Sequence, residues 1–176
     1  WNRYTRQPQW SPMGSTANMA GRVCAMNIAG KKVAYPGVLG TAVCHLPGLN
    51  IGKTGFTEET AKAAGFDPAS VTVVTDDKAH YYPGSDTFII KVVADKATKK
   101  FLGVEALGAG AVDKVVDVGA TALALKGSLD DLDNMDMAYA PPFSTAIHPF
   151  VLAVQVLENK LDGTMDSITP EEYATG

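Results

Sequence analysis

The sequence predicts an α+β domain, a small antiparallel sheet of three to five strands flanked by helices. Three observations carry that reading. Residues 71–75, 87–94 and 101–107 are β-branched and apolar, and the charged turn at 95–100 closes the last two into a hairpin. Residues 112–123 then repeat apolar side chains with a 3.6-residue period. Residues 149–161 form a second helix that is apolar nearly all round, so it is buried on more than one side.

The elements follow in order. Residues 1–13, with Pro8 and Pro12, read as an irregular lead-in, residues 14–165 as the main domain and residues 166–176 as a C-terminal tail. A helix over about 16–29 carries Ala20, Val23, Cys24, Asn27 and Ile28 on one face and stops at Gly30. That face is small enough for another backbone to approach closely. Residues 38–46 form a plausible strand, and 48–55 is a turn-rich segment. Thr57 caps a short helix whose positive end suits Glu58 and Glu59, and Gly65 ends it. His80-Tyr81-Tyr82-Pro83-Gly84 is an aromatic turn between the first two of the three strands. The stripe Val112, Val115, Val116, Gly119, Ala122, Leu123 is stopped by Gly127, and Ser128 with Asp131 resembles a capping box. A subunit interface is the economical cover for the last helix.

Bulk properties exclude several function classes. The 176 residues are 46% apolar and 19% charged, with a net charge of −4, which is enough chain to bury roughly 70% of its extended surface. No basic run argues for nucleic acid or an anionic membrane surface, and no apolar stretch is long enough to span a bilayer. Residue 1 is Trp and no signal peptide opens the chain, so the sequence is expected to be cut from something longer or processed, and the protein to be cytoplasmic. Cys24 and Cys44 lack C-x-x-C spacing and are expected to be buried free thiols.

Chemistry concentrates in residues 137–150, Met-Ala-Tyr-Ala-Pro-Pro-Phe-Ser-Thr-Ala-Ile-His-Pro-Phe. Pro141 and Pro142 fix φ and bias their predecessors toward extended geometry, so this is a stiff extended bend flanked by Tyr139 and Phe143. His148-Pro149 starts the last helix, with Pro at the first helical position. A rigid aromatic loop that ends at a helix start presents groups to a ligand or partner. Other signals fail. Gly48-Leu-Asn-Ile-Gly-Lys-Thr54 has one residue too few for a P-loop. Residues 131–136 put Met135 where a calcium loop needs an oxygen. Leu107-Gly-Ala-Gly110 lacks the third glycine of a dinucleotide fingerprint. His45, His80 and His148 are too scattered to argue a metal site, and none is expected.

Several ordered motifs together resemble one family. They are Met13-Gly-Ser-Thr-Ala-Asn18 with Gly21-Arg22 and Asn27-Ile-Ala-Gly30, then Gly55-Phe-Thr-Glu58 with Ala61 and Gly65, then Tyr81-Tyr-Pro-Gly84. Leu102-Gly103, Val112-Asp-Lys114 with Asp117, and Tyr139-Ala-Pro-Pro-Phe-Ser144 follow. Over about residues 10–165 the chain is similar to the C-terminal dimerisation domain of the pyridine nucleotide-disulfide oxidoreductases, in the branch of coenzyme A-disulfide reductase, NADH oxidase and NADH peroxidase. The resemblance implies upstream domains binding FAD and NAD(P)H, residues 1–13 being the tail of the FAD domain, with no nucleotide held by this chain alone. It implies a homodimer in which this domain completes the partner's active site, for reduction of a disulfide, persulfide or polysulfide, peroxide or oxygen.

The resemblance also carries residues. Ser15, Thr16, Ala17 and Asn18 match the segment beside the flavin. Tyr139 matches the tyrosine that enters the partner's site, where a phenol donates a proton or hydrogen bond to sulfur or peroxide, and Tyr81 matches the second tyrosine. The redox cysteine of the family would be neither Cys24 nor Cys44. Ile147 stands where coenzyme A-disulfide reductases place a lysine on the coenzyme. His148 stands where that branch usually has an acid; His-Pro resembles the acid/base of glutathione and lipoamide reductases, but the glutamate of that dyad is Ala153 here. A near-neutral pKa would suit His148 to proton transfer; the other reading is that it caps the helix. A different class of function is a free-standing module that grips a peptide or small ligand with its Tyr-Pro turns.

Overall fold

The computed structural model describes residues 1–175 and divides into two units, Trp1–Gly40 and Thr41–Gly176. The first unit holds α1 (Gly14–Ile28), which begins after Met13 without a side-chain cap and has no buried residue. Gly30 ends it at φ +85°, in the left-handed region that glycine enters without a Cβ penalty. Asn27 then fastens the following turn, its side chain accepting from the Val33 N–H and donating to the Val33 carbonyl, both at 2.9 Å. The unit runs on to Gly40, past the expected end of the lead-in at residue 13, and Asn2 and Val38 bridge within it.

The second unit is α+β. Its elements are β1 (Ala42–Leu46), β2 (Leu49–Gly55), α2 (Glu58–Ala63), β3 (Pro68–Asp76), β4 (Thr87–Asp95) and β5 (Phe101–Gly108). Four helices follow: α3 (Val112–Leu125), α4 (Leu129–Leu132), α5 (Pro149–Leu161) and α6 (Pro170–Thr175). The strands form one antiparallel sheet in the order β1-β2-β5-β4-β3. Helix α3 lies on β5 and β2, and α5 lies on β3 and β4, so one broad face of the sheet is covered by two helices. Phe101 and Phe150 meet edge to face between them, ring centroids 5.5 Å apart and both fully buried.

The capping chemistry read from the sequence is present. Thr57 and Thr60 form a reciprocal box at the start of α2, with Glu58 and Glu59 in its first turn. Ser128 and Asp131 do the same for α4, the Asp131 carboxylate accepting from both the Ser128 N–H and hydroxyl at 2.8 and 2.7 Å.

Five expectations are corrected. Residues 48–55 are mostly strand, because β2 pairs with β1 on one side and β5 on the other. The Gly52 backbone lies under α3, where a Cβ would come within 2.7 Å of Val116 Cγ2. The first strand starts at Ala42, not Val38, which belongs to the other unit. The C-terminal tail ends in α6, tied down by a 2.8 Å ion pair between Glu171 and Lys91 on β4. Helix α5 needs no second subunit to cover it: Phe150, Val151, Ala153, Val154 and Leu157 are buried against the sheet and α4. Cys24 and Cys44 are free thiols as expected, but exposed.

Glycine sets how closely layers approach. A Cβ on Gly103 of β5 would lie 2.2 Å from the Phe56 carbonyl oxygen, and one on Gly119 of α3 would lie 2.4 Å from Val104 Cγ1. The second clash is with a stiff β-branched side chain. Gly119→Ala is therefore expected to cost about 2 kcal/mol through overpacking. Combined with Val104→Ala the penalty should fall short of the sum by about 1 kcal/mol, since the second change removes the obstructing methyl. Urea denaturation of the two single variants and the double variant measures this; strict additivity would show that the contact is not the cause.

Candidate functional site

Two turns of the second unit meet. The turn after β3 folds through Ala79 to Ser85, with the Tyr82 N–H donating to the Ala79 carbonyl at 2.8 Å and the Ser85 N–H to the Tyr82 carbonyl at 3.0 Å. The loop before α5 carries Tyr139. The two are joined main chain to main chain, the Ala79 N–H donating to the Pro141 carbonyl at 3.3 Å. Tyr81 is 77% exposed, Tyr139 51% and Phe143 70%. The joined turns thus hold three rings out to solvent on a fixed frame, two of them with phenolic hydroxyls.

The Pro-Pro segment is a tight turn, not an extended bend. Both the Phe143 and Ser144 N–H groups donate to the Ala140 carbonyl, at 2.8 and 3.2 Å, and Pro141 suits the second position of such a turn. Lys114, on the first turn of α3, closes the far side by donating to the Phe143 carbonyl at 3.0 Å. Behind the turn is a cavity of about 170 Å³ lined by Asp77, Lys78, Lys114, Phe143, Ser144 and His148, among others.

His148 is buried at the start of α5. It is 4% exposed, and its Nδ1 accepts from the Phe150 N–H at 3.2 Å as the N-cap of α5. An imidazole that accepts at Nδ1 while neutral carries its proton on Nε2. Burial first, and the nearby Lys114 charge second, push its pKa down to about 4. Ala153, at the place of the missing dyad partner, is fully buried. The geometry supports the capping role of the two read from the sequence.

Ser15, Thr16, Ala17 and Asn18 occupy the first turns of α1. The Thr16 and Ser11 hydroxyls are 2.8 Å apart, and the Asn18 side-chain amide donates back to the Gly14 carbonyl at 2.8 Å. Ser15, Ala17 and Asn18 are exposed and small, which suits the approach of a flat ring. Gly108 ends β5 and Gly110 lies in the short connection to α3, beside the Asp77 carboxylate. Among the described residues no cluster of His, Cys, Asp and Glu could hold a metal ion, and no helix is long and apolar enough to cross a membrane. Sequence reasoning missed Lys78, Asp77 and the cavity wall; Ser144 and Lys114 were visible in motifs but without a role. Nothing local in the sequence says that the two turns touch.

The family model described as pyridine nucleotide-disulphide oxidoreductase, dimerisation domain, matches residues 41–150. The chain is 38% identical over 149 residues to an NAD(P)H sulfur oxidoreductase (CoA-dependent) of Pyrococcus furiosus, covering 85% of this chain and 34% of that protein. It is 30% identical over 148 residues to a coenzyme A disulfide reductase of Staphylococcus haemolyticus, covering 84% and 32%. The structure resembles an NAD-dependent persulfide reductase from A. fulgidus with a TM-score of 0.90 at 36% identity, over 93% of this chain and 31% of that one. The chain therefore spans about a third of the length of the curated relatives it matches.

The buried histidine predicts a pH dependence. Its pKa falls from 6.5 to about 4 on folding, so between those values the unfolded chain binds more protons. Its contribution is whole above the unfolded pKa and is lost as the pH drops toward 4. His148→Asn keeps a capping acceptor but does not titrate. Between pH 7 and pH 4 the variant should lose about 3 kcal/mol less stability than the parent. Denaturant titrations at the two pH values test this, and equal losses would contradict the burial argument.

Proposed function

Because the chain belongs to the pyridine nucleotide-disulphide oxidoreductase dimerisation-domain family, we propose that it pairs with a second copy of itself and completes the partner's active site in a FAD- and NAD(P)H-dependent oxidoreductase. The observation that carries this is the main-chain junction between Ala79 and Pro141, which presents Tyr81 and Tyr139 together on one rigid rim. An exposed aromatic rim whose two turns are joined main chain to main chain suits the cleft of a partner.

In this reading Ser15, Thr16, Ala17 and Asn18 of one copy lie beside the flavin, and Tyr139 of the other copy approaches it. The flavin supplies hydride and electron transfer when bound. This chain's part is positional and protic: the Tyr139 phenol donates a hydrogen bond or proton to the sulfur or oxygen anion released on reduction, and Tyr81 holds the acceptor from the other side. His148 does not move protons in this reading but fixes the start of α5 and, through it, the Pro-Pro turn.

The acceptor class follows the relatives. Those named above are sulfur, persulfide and coenzyme A-disulfide reductases, so a persulfide, polysulfide or disulfide is the substrate we favour over peroxide or oxygen. Ile147, half-exposed, offers no charge to a coenzyme phosphate at the place where a lysine was sought.

A second surface supports pairing. A groove of about 860 Å³ runs between α3 and the segment after α4, floored by Val118, Leu125, Leu132, Met135 and Met137. Leu125 is 78% exposed there. An obligate pair is expected to bury roughly 2,000 Å² or more.

Two outcomes are expected. The chain should sediment as a dimer at micromolar concentration, and Leu125→Arg should shift it toward monomer; a strict monomer at all concentrations would sink the pairing. In the intact flavoenzyme, Tyr139→Phe should lower turnover with polysulfide or coenzyme A disulfide about 100-fold, as expected for a lost general acid, while leaving the flavin spectrum alone. Unchanged turnover would remove Tyr139 from the reaction.

A further inference from the structure

The cavity behind the Phe143 turn has the makings of a site that the reading above does not use. We propose that it binds a small tetrahedral oxyanion, the size of sulfate or phosphate. Its walls are the first turns of two long helices, α3 at Ala111 and Lys114 and α5 at Pro149. Helix starts carry partial positive charge; here the Val112 and Lys114 N–H groups turn back to the Gly110 and Ala111 carbonyls, Pro149 has no N–H and the Phe150 N–H is held by His148 Nδ1, so the helices contribute their dipoles and not free donors. Ala111 provides no side-chain acceptor to cap α3, and the residue that caps α5 is an uncharged imidazole, not a carboxylate.

The side chains point the same way. The Lys114 ammonium uses one of its three donors on the Phe143 carbonyl, which leaves two. Lys78 lines the same cavity, and its ammonium lies 3.4 Å from Asp77 Oδ2. Asp77 is the single carboxylate in the wall, and its other oxygen is already occupied by the Asp86 N–H at 2.9 Å. Two lysines and two helix starts therefore line the cavity against one carboxylate that is itself engaged.

The independent observation is Ser144. It is 1% exposed, it lines the cavity, and its hydroxyl has no hydrogen-bond partner among the described residues. Leaving a buried hydroxyl unmade costs on the order of 1–3 kcal/mol, so native proteins give such groups a partner. An oxyanion held by Lys114 and Lys78 would accept from the Ser144 hydroxyl. The volume of about 170 Å³ takes such an ion and a few waters, each of which occupies about 30 Å³. It excludes a nucleotide. A phosphomonoester could enter only by its phosphate, so the ion arrives either free or on a carrier.

Two measurements on the 176-residue chain test the site. In solution, sulfate should raise the melting temperature above that in chloride at equal ionic strength. Lys114→Gln should weaken this response about tenfold or more in sulfate concentration, the worth of one charge-assisted hydrogen bond, and Ser144→Ala should weaken it less. Lys62→Gln, at an exposed lysine remote from the cavity, should leave it intact. In crystals grown with selenate, anomalous scattering should place selenium between Lys114 Nζ, Lys78 Nζ and Ser144 Oγ. Competition by inorganic phosphate and by AMP separates a free ion from a carried one. An unchanged sulfate response in Lys114→Gln would overturn the proposal. So would water alone in the cavity at high selenate, or an adventitious ion only, seen in the crystal with no sulfate-specific stabilisation in solution.

Discussion

Helix α3 sits closer to the sheet than any pair of side chains would allow, and much else follows from that approach. Gly119 on the helix faces Val104 and Thr54, and Gly52 on β2 faces Val116. The two glycines stand on opposite sides of the same interface, each receiving a β-branched side chain from the other. Dense packing of this kind holds a helix in a single position, because sliding it would drive methyl groups into backbone. The first turn of α3 is thereby fixed in space, and that turn carries Lys114. The Lys114 ammonium reaches the Phe143 carbonyl, so the core interface and the exposed loop are one mechanical system.

The same logic explains the burial of the central strands. β5 lies in the middle of the sheet and β4 beside it, and residues 92–94 and 101–104 include no exposed side chain. Continuous apolar runs of this sort belong to strands covered on both faces. One face is covered by α3 and α5. At one end the other face carries α2, whose Glu58 accepts from the Ser70 hydroxyl on β3 at 2.7 Å. Further along that second face the cover stops, and Ile51, Ile89 and Val74 are 41, 38 and 67% exposed in register with one another across the strands.

Most elements were legible because they obey local rules. The caps at Thr57 and Ser128, the start of α5 at Pro149, and the strands at 71–75, 87–94 and 101–107 all follow from side-chain chemistry within a few residues. The misreadings share a different cause. β2 reads as a turn because Gly52 and Gly55 lie in it and Gly48 just before it; Gly52 answers to Val116 of α3 and Gly55 to the Leu102 carbonyl, which lies 2.3 Å from where a Gly55 Cβ would be. Helix α5 reads as an interface because its apolar residues run nearly all round it, and the sequence does not say that the sheet, α3 and α4 all pack against it. For His148 the sequence leaves acid/base and helix cap both open, because burial and the bond to the Phe150 N–H are not visible in it. The tyrosines were found through a motif, whereas the bond that joins their turns spans residues 79 and 141 and leaves no local trace.

That bond has an evolutionary meaning. It is made by an amide and a carbonyl, groups that almost every amino acid supplies, so the scaffold beneath the rim does not depend on which side chains the rim displays. Tyr81, Tyr139, Phe143 and Ile147 can be exchanged one at a time while the platform keeps its shape.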